Sequence, residues 1–288
     1  MRAVFAGPAG RRYIRPRMHP ILFEIRGFAL HTYGAVYLLA FLAAIAVAAV
    51  LGRRDGVPFW KMVDVAFMIA IAGEVGARLT FVIVEWDRIS AGQIGFRQLA
   101  SGGRVVLGGV VVGVLFAAWI LRRHALPVTG LLDAVLAGAA LGMGIGRLAC
   151  LAAGCCYGQP TSWWWGITFD DPLAQRFEGT PLGVALHPTQ VLQSLAAFAL
   201  FALLLVLHAR RKFPGQVAAA FLALAGVSRF LIEFLRGDPR GAIAGLSTSQ
   251  WIGLAMAAGG GMWLWLGYRR AAARGPRGKA RALSGTPA

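Results

Sequence analysis

Long apolar runs separated by short polar stretches organise this chain. Seven of them fall at roughly 29–51, 61–84, 105–121, 130–153, 189–207, 215–235 and 245–268. At about 1.5 Å of rise per residue, each can cross a hydrocarbon core about 30 Å thick with some tilt. Lipid offers no partner for a free backbone N–H or C=O, so such runs must be helical. The pattern predicts an all-α fold: a polytopic membrane protein with seven transmembrane helices and a small extracytoplasmic loop region. The largest polar interruption, residues 158–188, carries Trp163, Trp164 and Trp165, a residue type that suits the membrane interface. Gly138, Gly142 and Gly146 lie four apart in the fourth run, which predicts close approach of another helix.

Composition supports the class. Of 288 residues, 58% are hydrophobic and 14% charged, where a soluble domain carries about a quarter charged residues. Lys and Arg number 29 against 12 Asp and Glu, a formal charge of +17. The basic residues sit mostly in short loops between apolar runs. They read as topology determinants and lipid contacts, not as a nucleic-acid surface. One set of loops holds Arg53, Arg54, Lys61, Arg122, Arg123, Arg210, Arg211 and Lys212, and the tail from Arg269 joins it. The other set, with Arg88, Arg97, Arg104, Arg176, Arg236 and Arg240, is poorer. The richer set is expected in the cytoplasm, with the N-terminus outside and the C-terminus inside. Residues 1–17 hold five arginines on the predicted outer side. They are either a basic arm or a stretch ahead of a natural start at Met18, and the second reading is carried forward. The expected organisation is a basic extension over 1–17, a membrane domain over 18–268 and a disordered basic cytoplasmic tail over 269–288.

Charges inside the apolar runs narrow the chemistry. Each costs about 2.5–3.5 kcal/mol near a bilayer centre, so it needs a partner or a task. Glu74 and Arg78 are four apart and can pair, as a self-satisfied structural pair or as part of a polar site. Arg147 has no acidic residue within a turn. It either snorkels to the nearby outer end of its helix or holds an anion. Arg229, Glu233 and Arg236 are expected on one helical face. Two or three guanidiniums converging at outer-leaflet depth match a phosphate, with a forked geometry that Lys lacks. An anion reaching that depth laterally is most simply a phospholipid headgroup.

Three cysteines, Cys150, Cys155 and Cys156, follow Arg147 closely. They have several readings: small buried hydrophobes, a redox pair, or a base or relay thiol. A bridge between Cys155 and Cys156 would be strained, and one from Cys150 needs the helix to end before its partner. A metal site is the weakest reading, since no His or carboxylate stands beside them.

Six segments carry a resemblance: "HTYGAVYLLAF" at 31–41, "GARLTFV" at 76–82, "GGVVVG" at 108–113, "GRLACLAAGCCYG" at 146–158, "HPTQ" at 187–190 and "RFLIEFLRGD" at 229–238. Their order and placement resemble the prolipoprotein diacylglyceryl transferases over roughly 19–268. The resemblance implies a multi-pass enzyme of the bacterial inner membrane. Such an enzyme moves the diacylglyceryl group of phosphatidylglycerol onto the lipobox cysteine of a prolipoprotein. A thioether forms and glycerol phosphate leaves. The implied partners are phosphatidylglycerol, the prolipoprotein and membrane lipids, without nucleic acid, cofactor or metal. The family's two essential arginines fall on Arg147 and Arg229, its glutamate on Glu233, its first-helix tyrosine on Tyr33, and its histidine–proline motif on His187 and Pro188. The expected catalytic set is Arg147, Arg229, His187, Glu233 and Tyr33. The expected substrate-binding set is Arg147, Arg229, Arg236, Gln190, Arg78 and Gly158.

The chain departs from the family pattern at several positions. Leu107 stands where the family carries a histidine often proposed as the base. Cys150 and Cys155 replace an asparagine and an acidic residue, and Leu192 and Gln193 replace a tyrosine and a glutamate. His187 is one candidate for the missing base. Its other reading is a residue that orders the end of its helix. These departures motivate two alternatives: a paralogue with another thiol acceptor or lipid donor, and a non-catalytic lipid-binding or transport protein.

Overall fold

The computed structural model describes residues 14, 21–25, 28–95, 105–124, 128–238 and 241–273. The rest of the basic extension, Arg97, Arg104, Arg240 and the tail beyond Ala273 lie outside the described residues, as does the side chain of Leu107. The described chain is mostly helical. A short hairpin, β1 (Ile21–Ile25) and β2 (Phe28–His31), leads into α1 (Thr32–Arg54). Then follow α2 (Phe59–Val84), the one-turn α3 (Trp86–Ser90), α4 (Val106–Arg123) and α5 (Val128–Ala153). Between α5 and α7 (Thr189–Arg210) lie β3 (Ile167–Thr168), α6 (Pro172–Glu178) and β4 (Ala185–Leu186). The chain closes with α8 (Gln216–Glu233), the pair β5 (Ala242–Ile243) and β6 (Leu246–Ser247), and α9 (Thr248–Ala273).

Among the described residues, α1, α2, α5, α7 and α8 are long and apolar enough to cross a membrane. Large apolar side chains stand exposed along them, Leu39, Ile71 and Leu195 among others. Such a surface is one that lipid covers. The expected runs become helices at nearly the expected places. The strands were not expected: β3 to β6 have two residues each and no periodicity to read, and β2 falls at the start of the first apolar run.

The chain divides into two compact units. One comprises residues 45–135 and the other 1–44 with 136–288. In the first, α2 packs on α4 through small residues: a side chain at Gly109 would run into the Gly73 carbonyl. In the second, α8 packs on α9 at Gly226 and Gly253, where each glycine faces the carbonyl of the other. Association without a hydrophobic driving force relies on such close approach. In α5, Gly142 packs against Ala40 and Ala44 as the spacing predicts, whereas Gly146 faces open space. The extramembrane loop builds its own small core from Tyr157, Ile167, Phe169 and Leu186.

Candidate functional site

The site is built where α5 ends. Arg147 lies less than two turns before Ala153, and Gly154 stops the helix with φ +75°, a left-handed conformation that glycine adopts without steric cost. The next residues are held through their carbonyls. Thr180 Oγ1 donates to the Gly154 oxygen at 2.8 Å, Gln190 Nε2 to the Cys155 oxygen at 2.8 Å and Thr189 Oγ1 to the Cys156 oxygen at 2.7 Å. Cys156 has φ +62°. A non-glycine residue keeps that conformation only when its surroundings over-determine it.

This turn folds the chain back so that the three thiols converge. All three cysteines are free, and their sulfurs lie within 4.8 Å of one another. Arg147 Nη1 approaches the Cys156 sulfur at 3.7 Å. Hydrogen bonding with Cys150 and Cys155, and then the nearby Arg236 guanidinium, pull the Cys156 thiol below the ordinary range. Hydrogen bonding with Cys150 pushes the Cys155 thiol up.

Beyond the turn, the backbone at Gly158 is clamped from two sides. His187 N–H donates to the Gln159 oxygen at 2.9 Å, and Gly237 N–H donates to the Tyr157 oxygen at 3.1 Å. Any side chain at Gly158 would strike the carbonyls of His187 and Leu235. Gly158 thus joins the "HPTQ" and "LRGD" segments through the backbone.

Arg147 also lines a cavity of about 250 Å³ between α5, α7 and α8. Arg229 reaches the same cavity from α8, with Gln193 and Ser228 as further polar lining and Leu200, Leu203, Leu224 and Ile232 among its apolar walls. Arg229 is braced from behind. Its Nη2 donates to Ser249 Oγ at 2.7 Å and lies 3.1 Å from Glu233 Oε2. Glu233 is 7% exposed and accepts from Ser247 Oγ at 2.9 Å. Such an arrangement offers an anion two guanidiniums in a low-dielectric setting, next to apolar surface.

Other expected residues take different places. The helix stops at Glu233, so Arg236 does not continue the expected face. Arg236 instead forms a forked pair with Asp238, Nε to Oδ1 and Nη2 to Oδ2, each at 2.8 Å, and is 6% exposed. Gln190 is fully buried and serves the Cys155 carbonyl, while Gln193, one turn on, meets the cavity. Tyr33 stacks on Tyr37, within electrostatic reach of the three thiols. Arg78 pairs with Glu74 at 2.8 Å in the other compact unit. Ser247, Ser249 and Asp238 were not singled out by sequence, and Gln193 was marked only as a departure from the family pattern. Single Ser, Asp and Gln residues near helix ends carry no distinctive spacing.

His187 Nδ1 accepts from the indole N–H of Trp165 at 3.3 Å, and Trp165 stacks on Trp163 with ring centroids 4.8 Å apart. That contact requires an unprotonated Nδ1. Burial lowers the His187 pKa. The unfolded chain then binds this proton more readily, so the stability it contributes is full above about pH 6.5 and is lost as pH falls through the lowered folded value. Thermal melting in detergent between pH 7.5 and 5.5 should show a downward step that His187→Asn lacks. An identical pH profile in both proteins would remove His187 as its source.

The family model of prolipoprotein diacylglyceryl transferases matches residues 20–266. The chain is 34% identical over 238 residues to the phosphatidylglycerol–prolipoprotein diacylglyceryl transferase of Clostridium tetani, covering 82% of this chain and 93% of that protein. It is 34% identical over 245 residues to transferase 2 of Clostridium perfringens, covering 84% and 93%. With the enzyme of Gloeobacter violaceus it shares 30% over 257 residues, covering 88% and 94%.

Proposed function

The chain belongs to the prolipoprotein diacylglyceryl transferase family, and from that premise we propose how its residues perform the transfer. The protein is a transferase of the bacterial inner membrane. It moves the diacylglyceryl group of phosphatidylglycerol to the thiol of a prolipoprotein's lipobox cysteine and releases glycerol phosphate. One observation carries the assignment of roles: Arg147 and Arg229, from separate apolar helices, line a single cavity.

In this reading the two arginines grip the lipid phosphate, and the apolar walls receive the glyceryl and acyl portions. As the carbon–oxygen bond breaks, negative charge grows on the departing phosphate. Guanidiniums already in place stabilise it without reorganisation. Gln193, whose buried side-chain amide meets no hydrogen-bond partner among the described residues, supplies a further polar contact. Glu233 and Ser249 position Arg229. Arg236 and Gly158 hold the loop that carries the thiols, as does Gln190. Tyr33 and His187 border the acceptor side, and Arg78, paired with Glu74, is a further guanidinium for the lipid.

Helices α4 and α9 bring the number of spans to seven. Gly259, Gly260 and Gly261 lower the mean hydropathy of α9, while Gly260 lets it approach the α8 backbone at Ala219 and Ala223. The arginine-rich loops face the cytoplasm, with the C-terminus inside and the N-terminus outside. Met18 begins the membrane domain, and a basic cytoplasmic tail follows it.

The test is direct. Purified protein, phosphatidylglycerol and a lipobox peptide should yield a peptide whose mass has grown by one diacylglyceryl group. A peptide with serine in place of the cysteine should stay unchanged. No mass gain on the cysteine peptide would overturn the reading.

A further inference from the structure

The three cysteines remain outside the roles assigned so far. They are free, their sulfurs mutually lie within 4.8 Å, and Cys150 is buried while the other two are half-buried. Three sulfurs around one zinc ion at about 2.3 Å lie about 3.8 Å apart in a tetrahedral arrangement. Modest side-chain rotation closes the observed spacing to that value. The backbone beneath is fixed by Thr180, Thr189 and Gln190, so the sulfurs are delivered on a braced turn. A zinc site with three protein ligands keeps its fourth position open, which distinguishes reactive sites from closed structural ones.

Charge and placement point the same way. Three thiolates and a divalent ion carry one net negative charge, and a fourth thiolate makes two. Arg147 touches Cys156 at 3.7 Å, and Arg236 lies within its electrostatic reach. Two cations therefore border the cluster. Arg147 also lines the anion cavity, so a sulfur bound at the cluster would sit beside a phosphate held by Arg147. The family's usual histidine is absent at Leu107, and the reaction needs a thiolate.

We propose that Cys150, Cys155 and Cys156 bind one zinc-class divalent ion whose open position takes the acceptor cysteine and presents it as the nucleophile. This rests on the transferase reading above. On binding, the acceptor thiol gives its proton to water, because a metal-bound thiol is deprotonated. Its sulfur lone pair forms the bond to the glyceryl carbon. The carbon–oxygen bond breaks, and its electron pair leaves on the phosphate oxygen as glycerol phosphate. The ion is neither oxidised nor reduced, and the neutral thioether is a weak ligand that departs.

The experiment titrates chelator-stripped, full-length protein in detergent with Co²⁺ alone. The expected result is saturation near one equivalent, with thiolate-to-metal absorption in the near ultraviolet and tetrahedral bands in the visible. Cys155→Ser and Cys156→Ser should each weaken these signals. They are half-buried and carry the test even if Cys150→Ser fails to fold. A lipobox peptide should shift the visible bands, and its serine counterpart should not. Stripping should slow thioether formation by about a hundredfold or more, the usual loss when nucleophile activation is removed, and Zn²⁺ should restore it. A cobalt spectrum that is absent or indifferent to the cysteines would overturn the proposal, as would full turnover by metal-free protein. A cysteine-dependent spectrum that responds to thiols, in a protein that transfers no lipid, would support the site while removing the transferase reading.

Discussion

Replacing Arg147 with alanine is expected to lower the rate of thioether formation by about a hundred- to a thousandfold, the usual cost of losing one preorganised donor to a developing anion. The expectation comes from where the guanidinium sits. It lines a cavity of about 250 Å³ from α5, as Arg229 does from α8, and among the described residues its side-chain hydrogen bond goes to the Cys156 sulfur. Arg229 by contrast is braced by Ser249 and Glu233. Arg147 is thus the more available of the two to a phosphate. Arg147→Lys should recover only part of the loss, because an ammonium cannot present two parallel N–H groups to two phosphate oxygens. Initial rates by peptide mass, at saturating and limiting phosphatidylglycerol, check both variants. A defect confined to KM would mean that Arg147 binds the lipid equally in ground and transition states. A change below about tenfold would place the phosphate elsewhere.

The physical grain of the sequence decides how much of this could be read in advance. Helices written as twenty-residue apolar runs were legible because lipid permits only one way to satisfy their backbones. Arg147 was legible as an anion candidate because a lone guanidinium in an apolar run demands an explanation, and its pairing with Arg229 came from the family resemblance. Their shared cavity depends on how α5, α7 and α8 pack, which no local spacing encodes. Arg236 was misplaced by helical periodicity: Gly237 and Asp238 follow it, and the aspartate offers a nearer partner than the helix face. The thiols illustrate the reverse. Continued as a helix, α5 would have carried Cys150 and Cys155 to different faces. The signal that it does not is Gly154, which turns the chain and brings the sulfurs together. Gln190 and Gln193 lie one turn apart on α7, and only the tertiary structure assigns one to the turn and the other to the cavity.

Replacing Glu233 with alanine is expected to cost about 3–5 kcal/mol of stability, because breaking a buried ion pair leaves its partner's charge poorly compensated. The Glu233 side chain is 4% exposed and touches two arginines, Arg229 at 3.1 Å and Arg236 at 3.9 Å. The two are not equally dependent on it. Arg236 keeps its forked pair with Asp238, whereas Arg229 has Glu233 as the nearer carboxylate, at 3.1 Å against 3.9 Å. The loss therefore falls mainly on Arg229, which should leave its position in the cavity wall. Melting in detergent should drop by on the order of 10 °C for a chain of this size, and activity should fall with it. Glu233→Gln separates the two effects. The amide can still accept from Ser247 and fill the space, but it supplies no counter-charge. It should melt between the wild type and the alanine variant while its transfer rate remains low. A glutamine variant with wild-type transfer would show that Glu233 merely fills space and accepts a hydrogen bond, and that Arg229 needs no carboxylate to face the phosphate.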